Sequence, residues 1–237
     1  MGQLSTQELA AVEAVARRFS AECETANEDW PDAYLTIDGK QIAVAVASPD
    51  RRNAEPGSPT MPRLRFDKVA LRFVRGLQTG LGGFVPDDRT VIVTITAPIR
   101  LPAKTAAALE EKIRAGLARR SAQAEVRATI HGNQIRVRIV QGNSNPMPKV
   151  IGFVHNADSD RDILFDLTES LIQYVDAAAR NGTAKRFAGD RWLVVADDVG
   201  PSYVDTYRHI ISQLSISTEF KKILMVRADG QVDDLTG

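Results

Sequence analysis

Short apolar runs of strand length recur along the chain. Four of them are Ile42–Ala47, Thr90–Ala97, Trp192–Ala196 and Lys222–Val226. In Ile42–Ala47 both faces are apolar, and a strand that is apolar on both faces belongs inside a sheet. Further strands are predicted at Ala33–Ile37, Glu125–Ile130, Gln134–Val140 and Lys149–Val154. These runs require at least one sheet whose faces are covered.

Between the runs, apolar residues return at helical spacing, which predicts the covering helices. The first helix is expected from about Thr6 into the low twenties, with Cys23 on its apolar stripe and Ser5 and Glu8 spaced as a capping box. Four more are expected over Phe66–Leu81, about Pro102–Arg119, roughly Asp160–Ala179 and Ser202–Leu214. In the second helix, Phe66 and Val69 are expected to face inward. The alternation of helices and strands predicts an α/β fold with a mixed sheet flanked by helices.

The chain of 237 residues is expected to form a single domain. A proline-rich segment, residues 49–62, reads as a loop. Sub-lobes over about residues 1–85 and 86–237 are the alternative organisation.

A hairpin with a defined register is predicted around Gly132-Asn133. If these two residues form the turn, Ile130 faces Ile135 and Arg127 lies directly across from Arg138. One face of the hairpin is then wholly apolar, which supports this register.

The net charge is zero, but the basic and acidic residues are unevenly distributed along the chain. Residues 51–150 carry 18 basic and 7 acidic side chains, and both flanking parts are acidic. The anion-binding candidates are Arg127, Arg136 and Arg138 on the hairpin and Arg72 and Arg75 in the second helix, together with Arg63, Arg65 and Lys68. Such residues bind the phosphates of nucleic acid or an acidic protein surface. The alternative is a solvated face or one paired within the molecule.

The first third of the chain has a recognisable order. An acidic-edged helix, Pro31-Asp32 at a strand entrance, a short turn and the apolar strand Ile42–Ala47 resemble the start of the PD-(D/E)XK nuclease fold. The resemblance covers about residues 6–48 and implies a restriction-endonuclease-like core. In that family a helix carboxylate, the aspartate of the Pro-Asp pair and the acid of D/E-x-K hold magnesium, and the lysine orients the attacking water.

By this resemblance, Asp32 is the first catalytic acid and metal ligand, and Glu22 or Glu24 supplies the helix carboxylate. Ala45 stands where the second acid belongs, and Ala47 stands where the lysine belongs. The resemblance therefore implies a scaffold without ordinary nuclease activity. Otherwise Asp32 is a turn residue at a strand entry.

Two other positions follow buried strands. His155 ends one strand, with Asn156 and three aspartates after it, and Asp197 follows another. Ends of strands in α/β sheets border ligand crevices. The alternative for the aspartates is to cap the next helix.

Several functional classes lack their signatures. The chain has no glycine-rich phosphate loop, no Gly-x-Ser-x-Gly elbow and no paired zinc ligands. A single cysteine permits no internal disulfide, and neither a membrane-spanning run nor a secretory signal is visible. A soluble cytoplasmic protein without an evident cofactor is expected.

The leading functional hypothesis is a non-catalytic binding protein whose basic middle meets an anionic partner, either nucleic acid or an acidic protein surface. The first alternative is a divergent metal-dependent nuclease using Mg²⁺. The second is a structural subunit of a homo-oligomer.

Overall fold

The computed structural model divides the chain into two compact units. Unit 1 comprises residues 1–56 and 173–237, and unit 2 comprises residues 57–172, so unit 2 is inserted into the sequence of unit 1. The structure describes residues 4–26, 30–48, 63–118, 125–141, 149–157, 164–173, 187–196, 204–214 and 220–236. The single domain expected from the sequence stays a prediction, and the alternative boundary near residue 85 falls within the residues of unit 2.

The described residues form five helices and two mixed sheets, which confirms the α/β class. The helices are α1 (Thr6–Phe19), α2 (Lys68–Leu81), α3 (Pro102–Ala118), α4 (164–173) and α5 (Val204–Leu214). The strands are β1 (Glu22–Thr25), β2 (Ala33–Ile37), β3 (Lys40–Ala47), β4 (Arg89–Thr96), β5 (Glu125–Ile130), β6 (Asn133–Gln141), β7 (Val150–His155), β8 (Asp190–Ala196), β9 (Lys222–Val226) and β10 (Val232–Asp234). Among the described residues, no helix is long and apolar enough to cross a membrane.

Unit 1 is built on a six-stranded sheet with the order β1-β2-β3-β8-β9-β10. The first three strands are antiparallel neighbours, β8 runs parallel to β3, and β9 runs parallel to β8. The apolar stripe of α1, which includes Val12 and Val15, packs with Val44, Val194 and Leu224 in one core. This burial holds α1 against the middle of the sheet.

The first helix ends earlier than its apolar pattern predicted. Ser20 adopts a left-handed conformation with φ 51° and donates its backbone N–H to the Ala16 and Arg17 carbonyls. The chain then turns into β1, where Glu22, Cys23 and Glu24 are all exposed. The predictions that Cys23 packs on a helix and that Glu22 or Glu24 is a helix carboxylate are therefore wrong.

Unit 2 contains a four-stranded sheet with the order β5-β6-β4-β7. Strands β5, β6 and β4 are antiparallel neighbours, whereas β7 runs parallel to β4. Helices α2 and α3 bury Phe73, Leu77, Leu109 and Ile113 against one face of the sheet. Unit 2 therefore has an apolar core of its own.

Helix α2 also differs from its sequence pattern. It begins at Lys68, because the Asp67 carboxylate accepts the backbone N–H groups of Val69 and Ala70 at 3.1 Å and so caps the helix. Phe66 and Val69, expected to face inward, are each 50% exposed. The stripe that begins at Ala70 faces the core instead.

The β5–β6 hairpin forms one position away from its expected turn. Its turn residues are His131 and Gly132, with φ of 49° and 78°, so Ile130 pairs with Asn133 and Arg127 pairs with Arg136. The buried Asn133 side chain contacts the Arg100 backbone and Ile130, which fixes this position of the turn. The predicted pairing of Arg127 with Arg138 is wrong, but the same side chains share each face.

Candidate functional site

The three hairpin arginines converge on Glu125 at the start of β5. Its carboxylate accepts hydrogen bonds from Arg136 at 2.6 Å, Arg127 at 2.9 Å and Arg138 at 3.3 Å. Arg136 is buried, with 7% of its surface exposed. Burial raises the pKa of Glu125, but the hydrogen bonds from Arg136, Arg127 and Arg138 outweigh it and hold this pKa at about 2. The carboxylate stays charged and neutralises part of the cluster.

Helix α4 supplies the rest of the neutralisation. Arg138 donates to Asp166 at 3.1 Å and to Glu169 at 3.2 Å. The guanidinium groups of Arg136 and Arg138 also lie over the ring of Phe165, at 5.2 and 4.7 Å from its centroid. This geometry favours the interpretation that these arginines form ion pairs within the molecule.

A second basic group has a different environment. Arg63, Arg65, Lys68, Arg72 and Arg75, called here the α2 basic face, are all exposed. Helix α2 contains no acidic residue. In the described part of the chain, Lys68, Arg72 and Arg75 form no ion pair. Among the described residues, Lys68, Arg72 and Arg75 therefore lack carboxylate partners of the kind that neutralise the hairpin arginines.

Asp67 is the acid that borders this face, and it is already engaged. It caps α2 and lies 3.3 Å from the guanidinium of Arg65. The hydrogen bond from the Ala70 backbone, followed by that from Val69 and the contact with Arg65, lowers the pKa of Asp67. Exposed Phe66, Val69 and Leu71 add apolar surface beside the cations.

A cavity of about 420 Å³ adjoins the α2 basic face in unit 2. It is lined by Arg65, Ala97, Pro98, Asn156 and Ala157. Ala97 follows β4, and Asn156 follows β7, so the cavity lies beyond the carboxyl ends of two parallel strands. This is where ligands bind in open α/β sheets.

His155, a candidate from the sequence, is buried next to one of the residues that line this cavity. Its side chain is 1% exposed, and Nδ1 lies 2.7 Å from the Asn156 carbonyl oxygen. The neighbouring Asn156, named with His155 in the sequence analysis, lines the cavity itself. Asp197 and the three aspartates after Asn156 lie outside the described residues.

Asp32 lies at the entrance of β2, as expected. Its Oδ2 accepts the backbone N–H of Val46 at 2.7 Å, which matches the interpretation of a residue that caps a strand entry. Burial raises the pKa of Asp32, the hydrogen bond from Val46 lowers it, and the charge of Glu8 raises it again. The net effect is a raised pKa.

The acid near Asp32 is Glu8, on α1. Its carboxylate accepts hydrogen bonds from the Ser48 hydroxyl at 2.7 Å and from the Ser5 backbone at 2.8 Å. The capping-box spacing marked Glu8 in the sequence, but only as a helix cap. In the described residues, no group of three or more histidine, cysteine, aspartate or glutamate side chains is arranged to hold a metal ion. The charge of Glu8 thus acts on Asp32, but the described residues contain no full set of metal ligands.

Comparison with known proteins gives no relative: no family model, curated protein or solved structure matches this chain.

Proposed function

We propose that this protein binds nucleic acid without cleaving it, through the α2 basic face. The observation that carries the proposal is the contrast between two arginine groups of unit 2. Arg136 and Arg138 are neutralised by carboxylates, whereas Lys68, Arg72 and Arg75 are exposed without an ion pair among the described residues. Such cations are available for phosphate groups.

The spacing of these cations suits a polyanion. Lys68, Arg72 and Arg75 are four and three residues apart, so they fall on one side of α2. From first to last they rise roughly 10 Å along the helix axis. Consecutive phosphates of one strand advance by about 3.4 Å, so several phosphates fit along this stripe. Exposed Phe66 supplies an aromatic surface for a base, which favours nucleic acid over an acidic protein.

The test is fluorescence anisotropy with labelled single- and double-stranded oligonucleotides over a salt titration. The double variant Arg72→Ser/Arg75→Ser is expected to weaken binding about tenfold and to reduce the salt slope by about 2, because each lost phosphate contact removes about one released counterion. The matched control is Arg17→Ser/Arg18→Ser, which removes two exposed helical arginines from unit 1.

Unchanged binding by the Arg72/Arg75 variant contradicts the proposal, as does the absence of binding at low salt. If the protein instead binds polyglutamate and not nucleic acid, and the Arg72/Arg75 variant loses that binding, the α2 basic face is assigned to an acidic protein partner.

A divergent metal-dependent nuclease is the second candidate, and the electrostatic interaction of Glu8 with Asp32 supports it. Two carboxylates suit a divalent cation, although Ala45 and Ala47 replace two of the groups that the chemistry requires. If this candidate is correct, calorimetry shows Mn²⁺ binding that Asp32→Asn removes and the control Glu24→Gln retains. No heat with the unaltered protein contradicts it.

A further inference from the structure

We propose that the cavity beyond β4 and β7 receives one unpaired nucleobase, so that the protein prefers single-stranded nucleic acid to duplex. This inference rests on the proposed function, because the α2 basic face holds the strand whose base enters the cavity. Arg65 belongs to both: it is exposed on the face and lines the cavity.

Asn156 supplies the group that recognises the base. Its backbone is held on two sides, since its N–H donates to the Arg63 carbonyl at 3.0 Å and its own carbonyl contacts His155 Nδ1 at 2.7 Å. The side-chain amide makes no hydrogen bond within the described part of the chain. An amide both donates and accepts, which matches the edge of a base that carries a donor beside an acceptor.

Arg65 supplies a planar cation at the same cavity. Its backbone N–H donates to the Val154 carbonyl at 2.8 Å, and Asp67 holds Nε at 3.3 Å. A guanidinium oriented in this way can stack on a base or contact the adjoining phosphate. Ala97 and Pro98 form an apolar wall of the cavity.

The dimensions and location restrict what enters. A volume of about 420 Å³ falls within the range of about 300–1,000 Å³ that is usual for small-molecule sites. In a duplex, the bases are stacked inside and their pairing edges are occupied. A base must leave the stack before its edge can enter the cavity, which costs least when it is already unpaired. The cavity therefore discriminates between single and double strands, whereas the α2 basic face does not.

The experiment measures anisotropy of the full-length protein with a labelled single strand of about 12 nucleotides and with the same strand in a duplex. The unaltered protein is expected to bind the single strand about tenfold more tightly than the duplex, since one base contact is worth roughly that factor. Asn156→Ala, which removes the amide, and Ala157→Leu, which fills the cavity, are expected to abolish the preference and leave duplex affinity within about twofold. The control Gln134→Ala, an exposed amide on β6, retains the preference.

A second readout does not depend on the stability of the variants. If a base enters the cavity, a single strand that contains 2-aminopurine changes its fluorescence emission on binding the unaltered protein. The same label in a duplex does not show this change. Equal affinity of the unaltered protein for both strands, a preference that survives in both cavity variants, or unchanged emission at saturation overturns the inference. Salt-dependent duplex binding without a preference leaves the proposed function intact, whereas no binding of either strand overturns both.

Discussion

Thr94 and Thr105 are both buried in unit 2, but their hydroxyl groups have opposite surroundings. The Thr105 hydroxyl donates to the Arg100 carbonyl at 2.8 Å and accepts from the Asn133 side chain at 2.9 Å. The Thr94 hydroxyl is buried and has no hydrogen-bond partner in the described residues. A buried polar group without a partner loses its hydration and gains nothing in return.

Replacing each threonine with valine is therefore expected to have opposite effects. Thr94→Val stabilises unit 2 by up to about 1 kcal/mol, because it removes an unsatisfied hydroxyl at nearly constant volume. Thr105→Val destabilises it by about 0.5–1.5 kcal/mol, because the hydroxyl's hydrogen bonds with the Arg100 carbonyl and the Asn133 amide are lost. Urea unfolding followed by circular dichroism measures both changes. A loss of stability in Thr94→Val comparable to that in Thr105→Val contradicts the assignment of an unsatisfied hydroxyl to Thr94.

At the scale of elements, the β5–β6 hairpin and α4 are connected through charge. Glu125 contacts three arginines of the hairpin, and Arg138 continues the connection to Asp166 and Glu169 of α4. Arg136 is almost fully buried, so replacing Glu125 takes a carboxylate partner away from a buried charge. Glu125 is therefore more important to unit 2 than an exposed ion pair would be.

The pH dependence of stability follows from the lowered pKa of Glu125. Its pKa falls from 4.5 to about 2 on folding, so its contribution is complete above pH 4.5 and is lost as the pH falls toward 2. Glu125→Gln is expected to lower the melting temperature at pH 7 and to weaken the acid dependence between pH 4.5 and 2. Glu111→Gln, on the exposed side of α3, is the control. An identical acid profile for Glu125→Gln and the unaltered protein argues against this role.

Over the whole molecule, two cores stabilise two units of one chain. Leu224 is fully buried in the core of unit 1, and Leu77 is fully buried in that of unit 2. Both tryptophans of the sequence, Trp30 and Trp192, belong to unit 1. Tryptophan fluorescence thus reports unit 1, whereas far-ultraviolet circular dichroism reports both units.

Two unfolding transitions are expected. Leu77→Ala removes buried volume from unit 2 and is expected to cost about 2–5 kcal/mol there, moving part of the dichroism transition and leaving the fluorescence transition in place. Leu224→Ala removes buried volume from unit 1 and is therefore expected to move the fluorescence transition. Equal shifts of the fluorescence transition in both variants contradict separate unfolding and show that the units unfold as one cooperative body.

Local periodicity is enough to predict the α/β class and most of the elements, because both depend on the spacing of apolar residues. The strands at Ala33–Ile37 and Lys222–Val226 occur at the predicted residues, and the capping box of Ser5 and Glu8 begins α1. Prediction failed where two local patterns conflicted. The apolar stripe predicts a helix that continues to Cys23, but the left-handed conformation of Ser20 ends the helix at Phe19.

Which charges are neutralised depends on contacts between elements that are far apart in the sequence. Arg138 reaches Asp166 and Glu169 across 28 and 31 residues, and Glu8 reaches Ser48 across 40. The parallel pairing of β3 with β8 joins the two sequence segments of unit 1. These two strands are separated in the sequence by all of unit 2. Periodicity carries no information over such separations, because contacts between distant residues depend on how the elements pack. The α2 basic face was therefore visible in the sequence as a cluster of cations, but the absence of carboxylate partners for Lys68, Arg72 and Arg75 in the described residues emerged only after folding.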